Sequence, residues 1–303
     1  MPDLSVKIGN LTLKNPVTVA SGTYGYGAEY LDFYPPSRLG AVFLKGITPE
    51  PQEGNAPPRI VETPAGMLNA IGLQNAGLKG LLEEKLPALE NIEGCFIANI
   101  AGKTQEQFAR IAKKLVGAKN LSGIEVNVSC PNVKQGGMSF GVCPKTVEKI
   151  TRGVRKATKL PVIVKLTPNV TDITEIAKAA ENGGADAISM INTLLGMSIN
   201  VETRKPMLGN IMGGLSGPAI RPVAVRMVMQ VYETVKIPVI GMGGIMTLRD
   251  ALEFFIAGAS AVSLGTAVFH DPFAPLKIIE ELEQYLENKN YQSIKEIVGT
   301  LEV

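Results

Sequence analysis

The chain has 303 residues, with 30 Lys+Arg against 28 Asp+Glu, one His and a formal charge of +2. That length allows two ordinary domains or one large α/β barrel, and 45 % hydrophobic residues allow a sizeable buried core. Near-neutral, interspersed charge argues against a nucleic-acid binder held by phosphate contacts. Three cysteines (Cys95, Cys130, Cys143) are too few and too scattered for a disulfide framework or a cysteine-rich metal site. The single histidine, His270, removes most histidine-based nucleophile and metal chemistry. Residues 1–15 carry no apolar targeting core after a basic start, and no run approaches the roughly 18 apolar residues that span a bilayer. A soluble cytoplasmic protein with reduced thiols is expected.

Eight short, apolar, β-branched runs follow one another: residues 16–20, 41–45, 95–99, 123–129, 161–166, 185–191, 237–241 and 260–265. Each is nearly continuous, as a strand buried on both faces should be. Helix-period segments lie between most of them. Thr104 with Gln107 has capping-box spacing, followed by Phe108, Ile111, Ala112, Leu115 and Val116 on one stripe. Pro144 suits a helix start, with Val147, Ile150 and Val154 on its apolar side. Asp172 with Glu175 opens another helix that closes at Gly183-Gly184. Thr247 precedes a helix stopped by Gly258, and a last charged helix covers 272–289.

Strand–helix alternation implies parallel strands with crossover helices. Eight units predict one α/β domain over 1–303, a single (β/α)8 TIM barrel with long loops on the C-terminal face. A weak repeat agrees: Leu160-Pro161-Val162-Ile163 echoes Ile237-Pro238-Val239-Ile240, and 184–189 echoes 258–263. The rival is a doubly wound open sheet. Three Gly/Pro/Asn-rich segments, 46–77, 131–142 and 192–218, read as long site loops after strands. The Met-rich stretch from Met190 to Met229 reads as adaptable packing in and under a loop.

The residues closing the strands are the most informative. In order they are Ser21, Lys45, Asn99, Asn127, Lys165, Asn192, Gly243-Gly244 and Gly265-Thr266. Lys and Asn are costly to bury without partners. A single strand-end amide can simply tether a loop, but the whole set on one face points to a shared polar ligand. The glycine turns after strands seven and eight stand where a barrel holds phosphate on free N–H groups and a helix N-terminus. Cys130 follows the fourth strand among amides. With no histidine beside it, a thiol there suits proton transfer better than acyl transfer. Cys95, Cys143 and His270 read as structural or surface residues.

Asn127-Val128-Ser129-Cys130-Pro131-Asn132, the 67–75 segment with Asn69-Ala70-Ile71-Gly72-Leu73-Gln74-Asn75, Asn192-Thr193, Gly241-Met242-Gly243-Gly244-Ile245 and Leu264-Gly265-Thr266 together resemble dihydroorotate dehydrogenase of class 1. The likeness runs from Leu13-Lys14-Asn15-Pro16 to about Asp271, and the 67–75 loop and the stretch after Cys130 resemble subclass 1B. The resemblance implies a (β/α)8 barrel that binds FMN and oxidises (S)-dihydroorotate to orotate, with hydride passing from C6 to flavin N5. It implies Cys130 as the base taking the C5 proton and Lys165 as a catalytic cation near the flavin N1/O2 edge. Substrate contacts fall on Lys45, Asn69, Asn127, Asn192 and Thr193, helped by backbone near Ala70, Ile71, Gly72 and Leu73. FMN contacts fall on Ser21, Lys45, Gly46, Asn99, Asn127, Lys165, Ile191 and Gly217, with its phosphate on Gly243, Gly244, Gly265 and Thr266. No metal site is implied.

The sequence has no Gly-x-Gly-x-x-Gly fingerprint after a strand and no closely spaced cysteines for an iron–sulfur cluster. Subclass 1B implies a second, electron-transfer subunit carrying FAD and a [2Fe–2S] cluster. It also implies a heterotetramer built on a homodimer of this chain, with NAD+ as final acceptor, and no nucleic acid or membrane as partner. Three other readings stay open: a fumarate-using class 1A enzyme, a non-redox phosphate-binding lyase or isomerase, and a non-catalytic ligand-binding barrel.

Overall fold

A computed structural model describes residues 1–128 and 140–302. Eight parallel strands close into a barrel in chain order. They are β1 (Val17–Val19), β2 (Ala41–Phe43), β3 (Phe96–Ile100), β4 (Leu121–Asn127), β5 (Val162–Lys165), β6 (Ala187–Met190), β7 (Val239–Met242) and β8 (Ala261–Leu264). Strand β8 returns to β1 through Val262↔Val17 and Leu264↔Val19, so no edge remains. The eight apolar runs are these strands, and closure excludes the open sheet. Most are buried along their whole length because helices cover one face and the packed interior the other.

The outer layer contains α1 (Gln105–Lys114), α2 (Pro144–Ala157), α3 (Ile173–Asn182), α4 (Arg221–Tyr232), α5 (Leu248–Ile256) and α6 (Ala274–Asn288). The connection from β1 to β2 instead uses two 3-10 turns, Ala28–Tyr30 and Pro36–Arg38. The caps follow the sequence closely. Thr104 accepts the Gln107 N–H and Asp172 the Thr174 N–H, and Thr247 with Asp250 makes a full capping box. The Gln107 side chain departs from expectation: it accepts from Lys103 N–H at 2.7 Å rather than from the capping residue. The two echoed segments occupy equivalent places in the barrel register. The carbonyl of Pro161 accepts from Ile124 N, and that of Pro238 from Ile188 N, just ahead of β5 and β7.

Two of the three expected loops are not irregular. Ile60–Thr63, Gly66–Asn69, Leu194–Met197 and Met212–Ser216 form a four-stranded antiparallel sheet over the C-terminal mouth. Their glycines and short lengths hid the alternation from the sequence. The methionines also divide. Met227 is buried in α4, whereas Met197 and Met212 are exposed on that sheet. At the N-terminal end of the barrel, the Arg155 guanidinium lies 2.7 Å from Asp186, whose carboxylate also accepts Val162 N–H. An antiparallel hairpin, Val6–Ile8 with Leu11–Leu13, turns at Gly9 beside Asp186. Among the described residues no helix is long and apolar enough to cross a membrane.

Candidate active site at the barrel mouth

Parallel register fixes which side chains share a layer. Asn99 pairs with Glu125, Asn127 with Lys165, and Lys165 with Ser189. Successive strand residues face opposite sides, so Glu125 and Asn127 both point into the barrel, Glu125 one layer deeper. Lys165 is 5 % exposed and Asn99 fully buried. Asn99 Nδ2 donates to Glu125 Oε2 at 2.5 Å, and Ser189 Oγ donates to Glu125 Oε1 at 2.6 Å. Asn127 Nδ2 lies 3.5 Å from Asn99 Oδ1. A polar floor therefore crosses β3, β4, β5 and β6.

Above this floor lies a cavity of about 340 Å³, within the range of small-molecule sites. Its wall contains Ser21, Lys45, Gly46, Asn69, Ile71, Leu73, Asn99, Asn127, Lys165, Ile191, Asn192, Thr193, Gly217, Gly243, Gly244, Gly265 and Thr266. The structure thus brings 17 of the sequence-predicted site residues into one cavity. Ala70 and Gly72 do not line it. Next to cavity-facing Asn69, strand alternation sends Ala70 the other way, against Leu68 and Leu208, and its N–H donates to Arg59 O. Gly72 backs onto Asn55. Cys130 lies outside the described residues. Sequence reasoning missed Thr23, Met67, Ser216, Met242 and Phe269 in the wall. It also missed Glu125 beneath it, although a Glu inside an apolar run, two residues before Asn127, was a readable signal.

The sheet over the mouth assembles one side of the wall. Gly214 pairs with Asn69, and Asn69 Nδ2 donates to the Gly214 carbonyl at 3.2 Å. Asn192 and Thr193 enter from the end of β6; Asn192 Oδ1 accepts Thr193 N–H at 2.8 Å. Asn75, at the end of the 67–75 motif, is a buried clamp: it bonds Thr48, the Leu73 carbonyl and Gly77 N–H. Leu73 itself sits at a φ of 54°, uncommon for a branched residue.

The glycine turns form another side. Gly243 and Gly244 have φ of 132° and 76°, and a Cβ on either would meet neighbours within 3 Å: Ala224 Cβ at 2.9 Å and Gly217 O at 2.7 Å. Among the described residues no acceptor takes the N–H of Gly243, Gly244, Gly265 or Thr266. Thr266 Oγ1 donates to Ser216 Oγ at 2.7 Å and ties the turn after β8 to the mouth sheet. At the start of α5 the Met246 and Thr247 N–H groups donate to the Asp250 carboxylate, and Asp250 N–H donates to Thr247 Oγ1. Free N–H groups on a backbone too tight for side chains fit a phosphate-bearing cofactor. Among the described residues, no group of three His, Cys, Asp or Glu side chains is placed to hold a metal.

A closed parallel barrel with its polar cavity at the C-terminal mouth, two lysines and phosphate-ready turns after β7 and β8 is the architecture of a (β/α)8 barrel enzyme. A family model described as dihydroorotate dehydrogenase matches residues 3–286. Three relatives carry the name "Dihydroorotate dehydrogenase B (NAD(+)), catalytic subunit". The one from Geobacter sp. (strain M21) is 53% identical over 302 residues, covering 100% of this chain and 99% of its own. The one from Desulforamulus reducens is 56% identical over 297 residues, 98% of each chain. The one from Bacteroides thetaiotaomicron is 51% identical over 303 residues, 100% of each. The chain belongs to the dihydroorotate dehydrogenase family.

Proposed function

We propose that this chain is the FMN-binding catalytic subunit of an NAD+-linked dihydroorotate dehydrogenase, a single barrel domain that oxidises (S)-dihydroorotate to orotate in cytoplasmic pyrimidine synthesis. One observation carries the reading. Lys45 and Lys165 share a cavity with the unpaired N–H groups after β7 and β8. Among the described residues neither lysine has a carboxylate within ion-pair distance. A buried cation (Lys165) and a partly buried one (Lys45), both without counter-ions, call for an anionic ligand, and both the cofactor phosphate and dihydroorotate are anions.

In this reading Gly243, Gly244, Gly265 and Thr266 hold the FMN phosphate, and Ser21, Gly46, Asn99, Ile191 and Gly217 support the rest of the cofactor. When bound, the flavin supplies an acceptor for the hydride leaving C6. Asn69, Asn127, Asn192 and Thr193 bind the amide edges of dihydroorotate, and Lys45 answers its carboxylate. Cys130 Sγ takes the C5 proton; its assignment rests on the Asn127-to-Asn132 motif. Lys165 supplies fixed positive charge for the electron density that arrives during oxidation, at little reorganisation cost because its stem is buried.

The relatives' names carry both NAD(+) and "catalytic subunit", which supports a separate electron-transfer subunit. By resemblance that subunit carries FAD and a [2Fe–2S] cluster, two copies joining a dimer of this chain. The test is NAD+ reduction by dihydroorotate, with this chain alone and with that subunit added. The expected result is slow NAD+ reduction alone and fast reduction in the complex. Full NAD+ activity of the isolated chain, or reoxidation by fumarate faster than through the subunit, would overturn the NAD+ assignment.

A further inference from the structure

We propose that Glu125 is the positioning residue that turns Asn99 toward the cavity as a hydrogen-bond acceptor, and so sets the affinity of the site for FMN. The proposal deepens the flavin reading above and rests on it. Glu125 is fully buried between the apolar Ile124 and Val126 of β4, below the layer that touches ligand. Its carboxylate receives Asn99 Nδ2 at 2.5 Å and Ser189 Oγ at 2.6 Å.

An ionised carboxylate only accepts, whereas a side-chain amide has one donating and one accepting end. Facing Glu125, Asn99 must present its nitrogen downward. Its oxygen then faces up into the cavity, which it lines. Gly46 leaves that oxygen room: a Cβ at residue 46 would lie 2.6 Å from Asn99 Oδ1. The Asn127 amide meets the same oxygen from the side, at 3.5 Å. Ser189, bonded to the second carboxylate oxygen, keeps Glu125 from rotating. Buried networks of this kind define one arrangement only while every member is satisfied. Without an acceptor below, the Asn99 amide is free to flip and offer N–H groups where the site needs an oxygen.

The experiment titrates the full-length apoprotein with FMN and reads quenching of flavin fluorescence, with thermal melting as the folding control. Glu125→Gln is the conservative variant. Its amide oxygen accepts from Asn99 while its nitrogen donates to the Ser189 hydroxyl, so the orientation survives and FMN affinity stays within about threefold. Glu125→Met has no acceptor and is expected to weaken FMN binding by about tenfold or more. Asn99→Asp sets two carboxylates face to face and also weakens binding. Adding Glu125→Gln to it reverses donor and acceptor, keeps one negative charge and leaves an oxygen facing the cavity, so affinity is restored to within about threefold. A folded Glu125→Met protein that binds FMN like the parent overturns the role. So does a Glu125→Gln protein as weak as Glu125→Met. Where Glu125→Met does not fold, the exchanged pair decides, and failure of the double variant to recover what Asn99→Asp loses overturns the role. A parent chain that binds no FMN overturns the flavin reading, and this role with it.

Discussion

Asn69 and Gly214 are joined by the Asn69 amide, whose Nδ2 donates to the Gly214 carbonyl at 3.2 Å. This bond, in register with the strand pairing around it, connects the segment after β2 to the segment after β6 and closes one side of the cavity. Removing the amide (Asn69→Ala) should raise the KM for dihydroorotate by about tenfold, the scale of a lost, partly buried hydrogen bond, with flavin content unchanged. Gly214→Ala should do the same from the other side, because its Cβ would run into Thr193 Oγ1. An unchanged KM in both variants would remove this contact from substrate binding.

Cys130→Ala should retain FMN and slow flavin reduction by dihydroorotate about 10²-fold or more, the usual scale for a lost acid–base group. Single-turnover stopped flow reads the step directly. Near-normal reduction would reassign the base.

Lys165→Met keeps the apolar stem and deletes the charge. Because the side chain is buried at the polar floor, flavin reduction should slow by about 10²-fold, with a much smaller change in melting temperature. Equal loss of folding and activity would make Lys165 structural.

The N-terminal end of the barrel should behave oppositely. Arg155 holds Asp186 and the carbonyls of Thr158 and Leu160. Arg155→Ala should therefore lower unfolding free energy by about 1–3 kcal/mol while leaving FMN affinity untouched. Chemical denaturation and flavin titration on one preparation separate the two.

Cys143 and Cys95 should differ in reactivity. Hydrogen bonds from the Thr146 side chain and backbone hold the Cys143 thiol below its ordinary value of 9.0. Burial pushes the Cys95 thiol above it, with a Ser122 hydrogen bond partly offsetting. A lower value means more thiolate at a given pH, so mildly alkaline iodoacetamide should label Cys143 before Cys95, and the gap should narrow as pH rises past the Cys143 value. Peptide mapping that finds Cys95 labelled first would contradict this.

The barrel was legible because its strands are buried on both faces and its caps are local. Val162–Lys165 needs only its own apolar run, and Thr247 needs only Asp250 three residues on. The cavity wall was legible for a related reason: strand ends carry residues, such as Lys165 and Asn127, that make no sense in an apolar strand without a ligand. The mouth sheet was not legible, since its two local hairpins are short and glycine-rich, and Gly66–Asn69 joins Met212–Ser216 across more than a hundred residues. Glu125 was passed over because its partners, Asn99 and Ser189, stand on other strands. Helix α4 escaped because no side-chain cap marks its start, and its methionines read as loop packing.

The most direct measurement is anaerobic stopped-flow mixing of the FMN-loaded chain with dihydroorotate, followed at the flavin's visible absorbance band. The account predicts rapid bleaching with orotate formed in equal amount, and colour that returns on adding the electron-transfer subunit with NAD+. A chain that takes up FMN yet is not reduced by dihydroorotate would contradict it.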